Sequence, residues 1–285
     1  MNKRPLIAVV IVMALATLAC TISLNVPSLQ TTNSRTTVIQ EPLPQGSGPV
    51  KVSLSIPAGT FKLTGGAADL VDGTIKYNVK GWDPVISNDN GNVTIQQGDI
   101  NHINGLPTQD VVNDWSIQLT DAIPLDLSIQ AGAYQGTIDL GGLKLSSLAI
   151  TDGASQSAID FSQPNPIQLD SFTYKSGASE VTLKNLANAN FSEMSFDGGA
   201  GNYTFDLAGE LAHDAAIIIK AGISNITIDV PAGRHVILNN TGAISNIDTQ
   251  GTWIVNGNTY EASGTGPTIT ITNNVAVGNL TLVRK

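Results

Sequence analysis

The sequence predicts an all-β protein: a single-stranded or parallel β-solenoid (β-helix-like) with rungs of about 22 residues. Three observations predict it. Short runs alternate apolar and polar residues with period two, Gly and Asn punctuate those runs, and one strand–Gly–strand unit recurs at a nearly constant interval. Val52-Leu54-Ile56, Leu125-Leu127-Ile129 and Ile269-Ile271 show the alternation, which sends successive side chains to opposite faces of a strand. From Lys51 onward no segment sustains a helical period.

The recurring unit runs from Leu127 to Gly132, then Leu148 to Gly153, Phe172 to Gly177, Met194 to Gly199 and Ile217 to Gly222, with a looser copy ending at Gly242. The Gly-to-Gly intervals are 21, 24, 22, 23 and 20 residues. Each copy reads as a strand, a Gly turn and a second alternating strand: Ile138-Leu140, Ile159-Phe161, Val181-Leu183, Tyr203-Phe205-Leu207 and Ile226-Ile228-Val230. So small a unit cannot enclose a core, but stacked copies bury a continuous one, with rungs about 4.8 Å apart. A β-sandwich is the alternative, because alternation is blind to parallel against antiparallel pairing; sandwich hairpins show turn signals every ~8–12 residues. Gly201-Asn202, Ser224-Asn225, Gly278-Asn279 and Gly91-Asn92 each precede an apolar-Thr-apolar triplet. Gly and Asn tolerate the positive φ of a tight corner.

Composition narrows the class of protein. Charged residues make up 13% of the chain, against about a quarter in ordinary domains, so Ser, Thr, Asn and Gln must cover the surface, as in extracellular β-proteins. Without Lys3 and Arg4 the balance is 12 basic to 23 acidic residues, or −11. No basic run remains, which argues against nucleic acid as a partner and against electrostatic docking on anionic lipid heads. The single cysteine, Cys20, excludes a disulfide framework.

Residues 1–20 read as a signal peptide. Lys3 and Arg4 supply the positive end, Pro5 to Ala19 is apolar except for Thr17, and the stretch is short for a membrane span. It closes on Thr17-Leu18-Ala19-Cys20, which resembles a lipoprotein box with Cys20 as the lipid attachment site, although Thr17 stands where an aliphatic residue is usual. Ala14-Leu15-Ala16 offers the alternative of ordinary secretion. Residues 21–48, rich in Thr, Ser, Pro and Gly, read as a flexible tether. An N-terminal β module over 49–113 and a repeat domain over 114–285 complete the predicted organisation.

Leu54-Ser-Ile-Pro-Ala-Gly-Thr-Phe-Lys-Leu-Thr-Gly-Gly66, with Asp69-Leu70 and Gly73-Thr-Ile-Lys-Tyr77 after it, resembles the N-terminal module of the toast-rack family of bacterial envelope proteins. Trp115 followed by the Gly132-to-Gly222 repeat resembles the β-rich continuation found in adhesin-like proteins, and is similar to the C-terminal domain of cell-wall-active-antibiotic response proteins. The resemblance implies an envelope location, a β-solenoid-like fold and no established enzyme activity. It transfers no catalytic residue.

The residues themselves offer little chemistry. His102, His213 and His235 lack metal-ligand spacing; no Gly-x-Ser-x-Gly elbow or phosphate loop occurs; and Trp82, Trp115 and Trp253 fit packing at junctions and solenoid ends. No catalytic residue and no cofactor is expected. One constellation recurs. Seven residues after each repeat Gly stand Asp139, Asp160, Lys184, Asp206 and Asp229, with Asp248 six after Gly242. In-register rungs would align these aspartates as an outward acidic column able to attract a divalent cation; solvated surface carboxylates are the alternative. Thr137, Thr182, Thr204 and Thr227 would form a neighbouring hydroxyl column. Three functions compete on these grounds: a non-enzymatic, membrane-anchored envelope scaffold, adhesin or sensor with a protein or glycan partner; a carbohydrate-binding or carbohydrate-active β-helix protein; and a calcium-dependent adhesive module.

Overall fold

The structure is a computed structural model that describes residues 31–46, 48–98, 111–244 and 246–285. The described residues form one 16-stranded sheet and a single short 3-10 turn, Leu186–Ala189. The predicted signal peptide and Cys20 lie outside the described residues.

The backbone of the molecule is a parallel stack: β2 (Val50–Gly65), β7 (Leu125–Asp139), β8 (Leu145–Asp160), β9 (Ser171–Lys184), β10 (Glu193–Asp206), β11 (Ala215–Val230) and β16 (Thr268–Arg284). The pairings are parallel, and equivalent repeat positions meet, for example Leu127↔Leu148↔Phe172↔Met194↔Ile217↔Ile271. This is the predicted solenoid.

Each repeat Gly lies inside a long strand rather than between two. A five-residue link, residues 140–144, returns the chain from β7 to β8. It spans at most about 17 Å, whereas 15 straight strand residues would run about 50 Å. The strand must therefore fold back on itself, and it does so at the glycine. Gly132, Gly153, Gly177, Gly199 and Gly222 stand one above another, and none has positive φ. Close approach demands glycine here: a Cβ on Gly222 would lie 2.7 Å from the Gly199 carbonyl oxygen, and one on Gly177 would overlap that of Gly153.

The bend supplies two sides of the core. Ile129, Ile150, Tyr174, Phe196 and Ile219 stack before the corner, and Ile138, Ile159, Leu183, Phe205 and Ile228 after it; all are buried. The links close the third side with Leu143, Phe161, Leu169, Leu186, Phe191 and Leu207, also buried. Phe172 meets Phe161 and Phe191 edge-on, at 5.8 and 6.0 Å between centroids, a geometry aromatic pairs favour.

Both ends of the stack finish in a rung made of two separate strands. Beside β2 lie β5 (Asn92–Gln97) and β6 (Asn113–Leu119), parallel to its first and second halves. Beside β16 lie β12 (His235–Asn240) and β13 (Asn246–Gln250), likewise parallel to its two halves. The looser copy at Gly242 is this split rung, and β16 is inserted between it and β11. Antiparallel strands finish both ends: β4 (Pro84–Asp89) on β5, β3 (Val71–Val79) on β6, β1 (Thr31–Glu41) on β3, and β15 (Thr259–Ala262) with β14 (Ile254–Asn256) on β12. Such caps close a repeat stack that would otherwise expose its core.

Two expectations are corrected here. Within the predicted tether of residues 21–48, Thr31 to Glu41 form a strand, and residues 21–30 lie outside the described residues. Its β-branched run Thr36-Thr37-Val38-Ile39 suits a strand, Ile39 is buried, Arg35 pairs with Asp83 at 2.7 Å, and the guanidinium lies 4.8 Å from the centre of the Tyr77 ring. The Gly91-Asn92 corner is instead part of a β-hairpin: Asn90 and Gly91 have φ of 53° and 89°, as a two-residue type I′ turn requires. The three tryptophans sit in the capping regions. Trp82 and Trp115 are buried, Trp115 donating to Asn113 Oδ1 at 3.1 Å, and Trp253 packs partly against the core.

Candidate functional site

Three rows of outward side chains run along the strand halves that follow the corner. The outermost is the predicted acidic column. Asp139 faces Asp160, which faces Lys184, and Asp206 faces Asp229, so these positions do align. Beyond Asp229 comes Val283, whose partner on β13 is Gln250; Asp248 pairs with Thr281 and stands outside the column. The insertion of β16 is the reason.

Each aligned carboxylate already has a protein donor. Ser162 Oγ donates to both oxygens of Asp139 at 2.7 and 2.8 Å, and the Gly141 N–H donates at 2.9 Å. Asp160 accepts from Asn185 Nδ2 at 2.7 Å, Asp206 from the Ala208 N–H at 3.1 Å, and Asp229 from Lys285 Nζ at 2.7 Å. The Asp229 contact raises the Lys285 ammonium above its ordinary value. Asp139 and Asp206 hold the start of the returning links in shape, as Asp does in Asx-turns. Among the described residues no group of three His, Cys, Asp or Glu side chains converges as metal ligands would.

The second row is the hydroxyl column: Thr137, Ala158, Thr182, Thr204, Thr227 and Thr281 in register, with Lys62 on β2. The third row, nearest the corner, reads Thr60, Gln135, Gln156, Glu180, Asn202, Asn225 and Asn279. Its two halves differ. Asn279 Nδ2 donates to Asn225 Oδ1 at 2.8 Å, and Asn225 Nδ2 to Asn202 Oδ1 at 3.0 Å, an amide ladder. The other half lines a groove of about 690 Å³ across β2, β7, β8 and β9, walled by Thr60, Lys62, Gln135, Gln156, Glu180 and Thr182. Thr60 donates to Asp114 at 2.6 Å at one end.

Inside the corner lies a polar cluster absent from the sequence reading. Asp152 is 5% exposed. It accepts from Tyr174 OH at 2.7 Å, Ser155 Oγ at 2.9 Å, Ser176 Oγ at 2.5 Å, Ser179 Oγ at 3.3 Å and Tyr134 OH at 3.4 Å. Burial, then the Asp152 charge, pushes the Tyr134 phenol well above its ordinary value; burial, then the neighbouring Tyr134 and Asp152, does the same to Tyr174. Gly136 and Gly198 make the room, since a Cβ on Gly198 would lie 2.6 Å from the Tyr203 ring. The available signal was an Asp at the inward position where the neighbouring rungs carry Ala131 and Ser176.

The histidines stand apart. His235 bridges Thr268 Oγ1 at 2.9 Å and Glu261 at 3.3 Å, and His213 contacts the Asp214 carbonyl; His102 lies outside the described residues.

These features define a capped parallel β-solenoid with a polar outer face. The family described as the N-terminal domain of toast_rack, DUF2154, matches residues 28–171, half of the chain, and the protein belongs to that family. No curated protein matches the sequence. Among solved structures, a candidate cell adhesion protein from Clostridium sporogenes shares the fold, with a TM-score of 0.51 and 18% identity over 89% of this chain and 99% of that chain. A candidate adhesin from Bacteroides fragilis (TM-score 0.33, 9% identity, 87% of this chain and 97% of that one) is a looser match. So is a candidate lipid binding protein from Parabacteroides distasonis (TM-score 0.33, 10% identity, 89% and 97%).

Proposed function

We propose that this protein is a non-enzymatic surface module of the bacterial envelope, held on a membrane by a lipid on Cys20, that engages an envelope partner adhesin-fashion through its outer faces. The observation that carries the reading is the in-register outer face: two rows of side chains run over seven strands about 4.8 Å apart, with the aspartate row beside them over five. A rigid array of this kind suits repeated weak contacts with an extended partner. The rows also argue against hydrolysis, which needs a free acid and base set across a scissile bond; the aligned aspartates are spread along the rungs and bonded to protein donors. The likeness to a candidate cell adhesion protein agrees with the reading.

Crosslinking on intact envelopes tests it. The anchored chain is expected to recover a defined envelope component, and Cys20→Ala is expected to leave the membrane fraction and lose that component. No enrichment over an unrelated lipoprotein, or a Cys20→Ala variant that still sediments with membranes, would overturn the reading.

A further inference from the structure

The third outer row is closed at one end and open at the other. Asn202, Asn225 and Asn279 hydrogen-bond one to the next in a ladder. Gln135, Gln156 and Glu180, in the same row, make no side-chain hydrogen bond to any described residue, and neither do Lys62, Thr137 or Thr182 beside them. All lie at the groove across β2, β7, β8 and β9. Ala158 interrupts the threonine row where that groove is floored. Four successive rungs thus present free amide, hydroxyl and carboxylate groups over roughly 14 Å.

The chemistry of the lining selects its occupant. Each Gln offers two donors and an acceptor, and each Thr one donor and two lone pairs. One cation, Lys62, and one anion, Glu180, stand three strands apart and cancel, which disfavours a polyanion or a polycation. No exposed apolar side chain lines the groove, so neither an amphipathic helix nor an acyl chain fits. A neutral, extended ligand rich in hydroxyl and amide groups meets every requirement. We infer that this groove binds a neutral glycan strand carrying N-acetylated amino sugars, the acetamido groups pairing with Gln135 and Gln156 and the hydroxyls with Thr137, Thr182 and Glu180. This rests on the surface-module reading above and names its partner class.

The test titrates the full chain, solubilised in detergent, with the β-1,4-linked N-acetylglucosamine hexamer, using the corresponding glucose hexamer as comparison. Saturable binding of the acetylated hexamer is expected, with weaker binding of the glucose hexamer. Gln135→Ala/Gln156→Ala should bind about tenfold more weakly or worse at an unchanged melting temperature, because neither side chain bonds within the described fold. Thr227→Ala, in the threonine row but outside the groove, should bind as the parent does. Undiminished binding by the double variant would overturn the location, and equal binding of both hexamers would overturn the acetamido pairing. Failure of the parent to bind either hexamer would overturn the glycan. If envelope crosslinking still recovers a defined component in that case, the surface-module reading stands without the groove; if it does not, both fall.

Discussion

Two populations of aspartate occupy the repeat, and they behave oppositely. Asp139, Asp160, Asp206 and Asp229 recur at one outward position, where each is bonded on the rim by a link residue or by Lys285. Asp152 occurs once, points inward at the corner, and gathers five hydroxyl donors from three rungs. A carboxylate kept from water must find its hydrogen bonds inside the protein, so the solitary residue carries more of the stability than the recurrent ones. Recurrence in a repeat marks what every rung needs at its surface; a departure from the repeat marks a specific interior arrangement.

The largest effect expected from breaking this contrast is at Asp152. Asp152→Ala leaves the buried Tyr134 and Ser176 hydroxyls without their acceptor and the Tyr174 hydroxyl with Ser157 Oγ alone, at 3.1 Å, at about 1–3 kcal/mol for each orphaned buried group. A loss of roughly 3–5 kcal/mol should appear as a lower urea midpoint, and Asp152→Asn, which keeps an acceptor oxygen, should lose less. A variant as stable as the parent would show that the network is retained for something other than folding.

An intermediate effect is expected at high pH. The Tyr134 and Tyr174 phenols are raised by burial above the unfolded value near 10. The unfolded chain therefore releases their protons first, and the stability they contribute is complete below about pH 10 and declines as pH rises beyond it. Melting temperatures followed through that range should fall, and Tyr134→Phe should make the fall shallower. An equally steep fall in Tyr134→Phe would assign it to other groups.

The outer column should respond least. Asp206→Asn/Asp229→Asn keeps an acceptor oxygen for Ala208 and surrenders an exposed ion pair with Lys285, so the change should be about 1 kcal/mol or less. Millimolar calcium should leave the parent's melting temperature where it is, because the carboxylates already have donors. A calcium-induced rise that vanishes in the double variant would turn the column into a cation site by mass action.

Much of this is legible in the sequence alone. The inward and outward assignments of Thr204 and Phe205 follow from period-two alternation, and the near-constant Gly spacing placed Asp139 opposite Asp160 and Asp206 opposite Asp229. The β1 strand was hidden because ten of its eleven residues stay at least partly exposed; backbone pairing to β3 and the Arg35–Asp83–Tyr77 contacts hold it, and neither leaves an amphipathic pattern. The glycines were visible, yet their setting inside bent strands was not, because the bend is forced by the short return links and the carbonyl of the rung below.

The sequence by itself determined the alternation, the period and the corner glycines, since each is a local constraint on one strand. The tertiary structure alone decided that β16 stands between β11 and the split rung, and that Asp152 meets Tyr134, Tyr174 and three serines. Ile269, Ile271, Leu280 and Leu282 present the same apolar face as Val236 and Leu238, so local pattern cannot rank them as neighbours of β11. Only the burial of whole rungs against one another distinguishes the orders. Hydrogen bonds to a buried carboxylate from residues 18 to 27 positions away likewise exist only once the rungs have stacked.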